Sequence, residues 1–339
     1  MSAAPPRLCV VAPCFNEQDV LPYAALKLED HLRRLAARGA IAPDSTILFV
    51  DDGSSDETWP IIARLNRTSR FVRGLKLSRN RGHQNALVAG LMAAEGDIVI
   101  SIDVDLQDDL AAMDAMIDAY REGADVVLGV RRARAADTAF KRASARGYYR
   151  MLRWLGANVV YDHADYRLLS RRALEALRQY GESNLFLRAL VLQLGFKVAT
   201  VPYDRAPRAA GVSKYPLRKM LSLAIEGVTS FTTAPLRVIA VAGFAISVIS
   251  FTLGAWALYT ALFTQTAVPG WASTVVPIYI ICGVQMICLG VIGEYVGKIY
   301  METKRRPRFI VEERLDVAGA EPVRDESAPA RVEPISRAS

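Results

Sequence analysis

Along its first 130 residues the chain alternates short apolar runs with longer amphipathic stretches. The runs Leu8 to Ala12, Thr46 to Val50, Gly74 to Leu77, Ile98 to Ile102 and Asp125 to Gly129 are short and mostly β-branched or aliphatic, which predicts buried strands. Helical periodicity fills the gaps, over Val20 to Arg38, from about Thr58, over His83 to Ala94 and over Leu110 to Arg121. Strands that alternate with helices predict an α/β fold with a mostly parallel sheet and helices on both faces. Further on, DYRLLSRR from Asp165 and GESNLFLRALVLQLGF from Gly181 predict a loop, a short strand and an amphipathic helix.

From Val238 to Gly293 the pattern changes, because no charged residue occurs there at all. That length accommodates two membrane crossings of about 20 residues each, expected at Val238 to Phe263 and Val275 to Tyr295, with Gln265, Pro269, Gly270 and Trp271 in the turn. Arg237 precedes this hairpin, Lys298, Lys304, Arg305, Arg306 and Arg308 follow it, and the turn has neither Lys nor Arg. Positive-inside logic then places both termini in the cytoplasm of a multi-pass inner-membrane protein. The start MSAAPPRLCV lacks the features of a cleaved signal peptide. The expected organisation is a catalytic domain over 1–204, a basic loop and interface helices over 205–236, the crossings over 237–297, and a basic segment with an irregular tail over 298–339.

Composition adds little to this picture. The 339 residues carry a net charge of +7 and are 52% hydrophobic. Anionic lipid headgroups and phosphorylated substrates account for the basic balance without nucleic acid. The arginines and aromatics of residues 131–161 suit either a membrane surface or an ordinary solvated face. Cys9, Cys14, Cys282 and Cys288 have no metal-binding spacing and are expected to be reduced, structural thiols. His31, His83 and His163 are scattered, with no ligand cluster expected. A homo-oligomer is left open.

Candidate chemistry lies where the strands end. GDIVISIDVDLQDD runs from a buried strand straight into acids, and Asp103 and Asp105, two residues apart, can present two carboxylates on one side. Few, hard oxygen ligands suit Mg²⁺ or Mn²⁺ rather than zinc, and Gln107 offers a further neutral oxygen. A solvated acidic loop is the plain alternative. Asn16, Asp51, Asp52 and Arg79 also follow predicted strands, at the sheet edge where α/β folds bind ligands. Neither G-x-G-x-x-G nor G-x-x-x-x-G-K-[ST] is present, which removes the two commonest nucleotide-binding folds.

With PCFNE, DDGSSD, LSRNRGHQNAL, DVDLQD, DYRLLSRR, NLFLRALV, AGVSKYPL and GEYVGKIYMETKRRP in that order, residues 8–311 resemble the family 2 glycosyltransferases. Within them they are similar to the membrane-anchored polyprenyl-phosphate enzymes, such as dolichyl-phosphate mannose synthase and bactoprenol glucosyltransferases. The resemblance implies a GT-A nucleotide-diphospho-sugar domain followed by interface helices and a membrane hairpin. It implies a nucleotide-diphospho-sugar donor, a polyprenyl phosphate acceptor and inversion at the anomeric carbon, with UDP favoured over GDP as the nucleotide. Pro13, Phe15, Asn16 and Glu17 would border the nucleotide, Asp51 would contact its base or ribose, and Asp103, Asp105 and Gln107 would hold metal and diphosphate. Asp165 would stand beside the reacting sugar, Arg208, Ser213 and Lys214 near the phosphates, and Arg131 at the acceptor phosphate. For these last five a surface salt bridge or helix cap is the alternative. Two other functions stay open: a processive synthase, whose Q-x-x-R-W motif has only RMLRW (Arg150 to Trp154) as a partial match, and a sugar-nucleotide-binding scaffold without catalysis.

Overall fold

The computed structural model describes residues 4–131, 163–181, 187–204, 271–316 and 323–324, with scattered helical residues between 236 and 263. The chain divides into two units, one of residues 1–143, 158–213 and 307–339, the other of 144–157 and 214–306.

The first unit is built on a nine-stranded sheet, counted among the described residues. The strands are β1 (Leu8–Cys14), β2 (Thr46–Asp51), β3 (Val72–Leu77), β4 (Ile98–Ser101), β5 (Val126–Arg131), β6 (His163–Ser170), β7 (Val198–Tyr203), β8 (Val311–Leu315) and β9 (Val323–Arg324). Their order is β7-β5-β6-β4-β1-β2-β3-β8-β9. β1 pairs in parallel with β2 and β4, β2 with β3, and β5 with β7. β6 runs antiparallel to both β4 and β5, and β8 antiparallel to β3.

Every residue of β1 is buried, with Leu8, Val10, Ala12 and Cys14 in one apolar cluster and Cys9 and Val11 in another. Alternation thus feeds two cores, one on each face of the sheet. The first core packs α1 (Leu21–Ala37), α2 (Thr58–Thr68) and α4 (Ala112–Arg121), the second α3 (His83–Ala93), α5 (Arg171–Arg178) and α6 (Leu187–Gln193). Gly90 permits the close seating of α3, since a Cβ there would meet Val11 Cγ1 at 2.4 Å and Val50 Cγ2 at 2.8 Å. β1 runs on through Pro13 to Cys14. Pro13 shares the side of Val11, whose carbonyl accepts from Ile102 N, and the β4 pairing ends at Ser101, so no ladder bond is lost. Burial pushes the Cys9 thiol up to about 11 and raises the Cys14 thiol well above its ordinary value, as befits inert core thiols.

The structure differs from the sequence pattern in three places. The tail past Pro307 does not become irregular at once: β8 covers the edge of β3, with Trp59 Nε1 donating to Glu313 Oε2 at 3.0 Å and Lys76 Nζ 3.3 Å from Glu312 Oε2. An open β3 would leave unpaired backbone groups, and FIVEERL supplies Phe309 and Val311 to one core and Leu315 to the other. DYRLL is not a short strand after a loop but the middle of β6, eight residues long. The predicted hairpin is not confirmed. Among the described residues no helix is long and apolar enough to cross a membrane. The second unit's α7 (Trp271–Thr303) takes in the second expected crossing, Glu294 included, and continues through Lys298 and Glu302, while most of the first lies outside the described residues. Arg150 to Trp154, Arg208, Ser213, Lys214 and residues 205–235 of the expected basic loop and interface helices also lie outside them.

Candidate active site

Strand direction decides what meets at the upper sheet edge. β1 to β4 all end there, as do β5 and β7, whereas the antiparallel β6 begins there. Asp165, near the start of β6, therefore arrives beside the residues that follow β4. A parallel strand would have carried it to the opposite edge.

The loops after β1 and β2 are laced together. Asn16, at φ 53°, donates its N–H to Ser54 Oγ at 2.9 Å and accepts from Ser55 N at 2.9 Å through its side-chain oxygen. Glu17 N donates to Thr58 Oγ1 at 2.9 Å, and Gln18 N to Asp56 Oδ2 at 3.2 Å. Asn16 and the Glu17 backbone thus shape the loop, while Phe15 projects into solvent and Pro13 stays inside β1. Asp51 is fully buried; Ser54 N donates to its Oδ1 at 3.2 Å, and Oδ2 is a buried acceptor with no hydrogen bond. Burial raises its pKa, against the Ser54 hydrogen bonds. Asp52 accepts from Arg81 N at 2.7 Å and Gly82 N at 2.8 Å, which ties the loop after β3 to the end of β2. Gly53, at φ 68°, lets those two loops touch: a Cβ there would sit 2.5 Å from the Arg79 carbonyl carbon. The Arg79 side chain itself is exposed.

Acids accumulate beyond β4. Burial raises the Asp103 pKa; His83 opposes the shift, and Asp108, Asp165 and Asp105 add to it. Asp105 Oδ1 accepts from Gln107 N at 3.2 Å, and Gln107 is buried. Asp108 is buried and accepts from Tyr203 Oη at 2.7 Å; Tyr203 accepts in turn from Arg131 Nε at 3.3 Å. Burial raises the Tyr203 pKa, so the phenol stays a donor to Asp108. Tyr166 packs edge-on against Tyr203, with ring centroids 5.3 Å apart.

His83 lies between two of the carboxylates, with Nε2 3.4 Å from Asp103 Oδ1 and 3.8 Å from Asp165 Oδ2. Asp165 also accepts from Gln84 Nε2 at 3.2 Å and is paired with Arg167, which is completely buried. His83 comes to this edge because Gly82 starts α3 here, which places the helix's first turn beside the acids. Gln84, Arg167, Asp108 and Tyr203 were missed; one signal for Arg167 was present, a charge inside an apolar strand.

Among the described residues no group of three or more His, Cys, Asp or Glu side chains is arranged to hold a metal ion. What β4 presents is a pair, Asp103 and Asp105. Such a pair fits a hard divalent cation whose shell is completed by water and substrate phosphate, and the neighbouring Asp108 and Asp165 add negative charge that favours a cation there.

The family model "Glycosyl transferase family 2" matches residues 9–178. The chain belongs to that family and is a glycosyltransferase, with the GT-A α/β fold and its mostly parallel sheet. It is 46% identical over 314 residues to "Uncharacterized glycosyltransferase YkoT" of Bacillus subtilis (strain 168), covering 92% of this chain and 93% of that one. It is 37% identical over 311 residues to the "Bactoprenol glucosyl transferase" of Shigella phage SfX, covering 91% and 99%. Among solved structures, glucosyl-3-phosphoglycerate synthase from Mycobacterium tuberculosis is a more distant likeness, at 18% identity and a TM-score of 0.47, over 66% of this chain and 78% of that one.

Proposed function

We propose that this enzyme transfers a sugar from a UDP-sugar to a polyprenyl phosphate, with inversion at the anomeric carbon, giving a polyprenyl-monophosphate sugar. The observation that carries this reading is the similarity to bactoprenol glucosyl transferases, which extends over about nine-tenths of this chain and nearly all of theirs rather than over the catalytic domain alone.

Asp51, with its open buried oxygen, suits a donor group on the base or ribose, and Pro13, Phe15, Asn16 and Glu17 border that end of the nucleotide. Asp103 and Asp105, with Gln107, are assigned to Mg²⁺ or Mn²⁺. A divalent cation held there would neutralise charge on the departing diphosphate. Arg131, fixed through Tyr203 and Asp108, and Arg208, Ser213 and Lys214 are assigned to the phosphates. An oxygen of the lipid phosphate forms the new bond to the anomeric carbon as the bond to the diphosphate breaks, and its electron pair leaves with the diphosphate. The attacking oxygen is already anionic, so the step needs no strong base. Asp165, committed to Arg167 and Gln84, orients the sugar and faces positive charge developing at its ring.

A lipid phosphate lies at headgroup level, and the uncharged stretch 238–293 would hold the catalytic domain against the inner leaflet with both termini in the cytoplasm. Purified full-length protein in detergent, given undecaprenyl phosphate and a panel of radiolabelled nucleotide sugars, should move label from one UDP-sugar into the lipid extract. Absence of lipid label from every donor would refute the assignment.

A further inference from the structure

Arg167 is the largest side chain of the molecule that is completely buried among the described residues. It stands in the middle of β6, paired in register with Ser101 of β4 and Leu128 of β5, between the buried Tyr166 and Leu168. Stability does not account for a guanidinium there. Desolvating an ion pair costs several kcal/mol per ion, and apolar residues of similar volume usually serve a core as well or better.

What Arg167 touches is informative. Asp165 lies two residues earlier, on the same face of the strand, and its Oδ1 is bound by Arg167. Its Oδ2 is bound from the other side by Gln84 of α3 at 3.2 Å. A carboxylate held on both oxygens, from two different elements, cannot rotate without losing one donor. The carboxylate stays at the sheet edge, at a fixed place relative to Asp103, to which His83 links it.

We propose that Arg167 is a positioning residue: its buried guanidinium fixes the Asp165 carboxylate as an oriented acceptor for the bound sugar, and it acts on the reaction only through Asp165. This rests on the sugar-facing role of Asp165 given above. A misplaced orienting group slows reaction much more than it weakens binding of the nucleotide, which contacts other residues. Lysine cannot replace the arginine, because an ammonium is a shorter point charge without the planar fork.

The test uses the full-length protein in detergent with undecaprenyl phosphate and the donor that labels it. Turnover at saturating substrates and the dissociation constant for UDP are measured for wild type, Arg167→Lys, Asp165→Asn and the double variants. Arg167→Lys should lower turnover about ten-fold or more while UDP affinity stays within about two-fold. In the Asp165→Asn background the same change should cost nothing further. Wild-type turnover for Arg167→Lys, or losses that multiply in the double variant, would overturn the inference.

Should Arg167→Lys fail to bind UDP through misfolding, Asp165→Asn/Arg167→Met decides, since it removes both charges of the pair at similar volume. It should turn over at the rate of Asp165→Asn alone, and a further ten-fold drop with UDP binding retained would refute the proposal. Full turnover by Asp165→Asn would remove the role of Asp165 and the inference with it, whereas absence of transfer by wild type from every donor marks failure of the polyprenyl-phosphate reading before any variant is compared.

Discussion

The two edges of the sheet are both crowded with charge, but they handle it differently. At the lower edge Arg314 pairs with Glu95 at 3.2 Å and with Asp316, Arg171 with Glu175 at 2.7 Å, and Arg172 with Asp125. Arg178 donates to the carbonyls of Met92 and Ala94, closing the end of α3. Each of these charged side chains has a partner within the fold. At the upper edge, among the described residues, Asp51, Asp103, Asp105, Asp108 and Asp165 gather with Arg131, Arg167 and His83, and burial first, then the neighbouring carboxylates, raises the Asp103 pKa. Local neutrality marks the edge that holds the domain together. Carboxylates gathered at one end of the sheet suit the charged ligand proposed for it.

The sharpest way to break this contrast is to remove the stored charge. Asp103→Ala or Asp105→Ala should reduce transfer by roughly a thousand-fold or more, on the scale expected when a principal stabiliser of transition-state charge is lost. Circular dichroism and the thermal midpoint should show an intact fold. Wild-type turnover by either variant, or full activity in excess EDTA, would remove the two-carboxylate cation site.

The difference between the edges was only half legible in the sequence. Alternating apolar runs gave the parallel core and its end-of-strand acids, because period and burial are local properties. The direction of β6 was not readable, since it depends on where the chain returns after residues 132–162, and so the meeting of Asp165 with Gln84 and His83 was not either. Those residues are 81 positions apart or more, and no periodicity links them. β8 was missed for the same reason: FIVEERL reads as tail until the bare edge of β3 is in view.

A smaller, purely structural effect separates packing from charge. Gly90→Val should destabilise the first unit by about 1–3 kcal/mol, because the added atoms meet Val11 and Val50 inside a filled core. Denaturant unfolding would measure this, and an unchanged midpoint would mean that α3 can withdraw from the sheet without cost.

The pH dependence tests the contrast with opposite signs. Burial leads the rise in the pKa of Asp103, so ionising it costs the folded state stability; that stability is fully present below the unfolded carboxylate pKa and is lost as pH rises through the folded value. Asp103→Asn should therefore raise the thermal midpoint at pH 7, though it abolishes transfer, and the gain should shrink towards pH 4. Asp125 at the lower edge is the reverse case. Burial acts against its charge but is outweighed by Arg172 and Ser170, so its pKa is lowered. Its contribution is present above the unfolded pKa and fades as pH falls through the folded one, so Asp125→Asn should lower the midpoint at pH 7 and have little effect near pH 3. Equal signs for the two variants at pH 7 would refute the distinction between the edges.

The smallest expected effect is at the rim of the lower edge. Arg171 pairs with Glu175 four residues on, along one exposed face of α5, where water screens both charges and two long side chains lose freedom to meet. Arg171→Ala should then cost no more than about 0.5 kcal/mol. Its second contact, Nη1 to the Gly96 carbonyl, is long at 3.4 Å and adds little. Transfer should be unchanged, since the residue lies at the end of the sheet away from every acid of the site. A ten-fold loss of turnover with normal stability would mean that the lower edge also bears on catalysis, and the comparison between neutral scaffold and charged site would have to be redrawn.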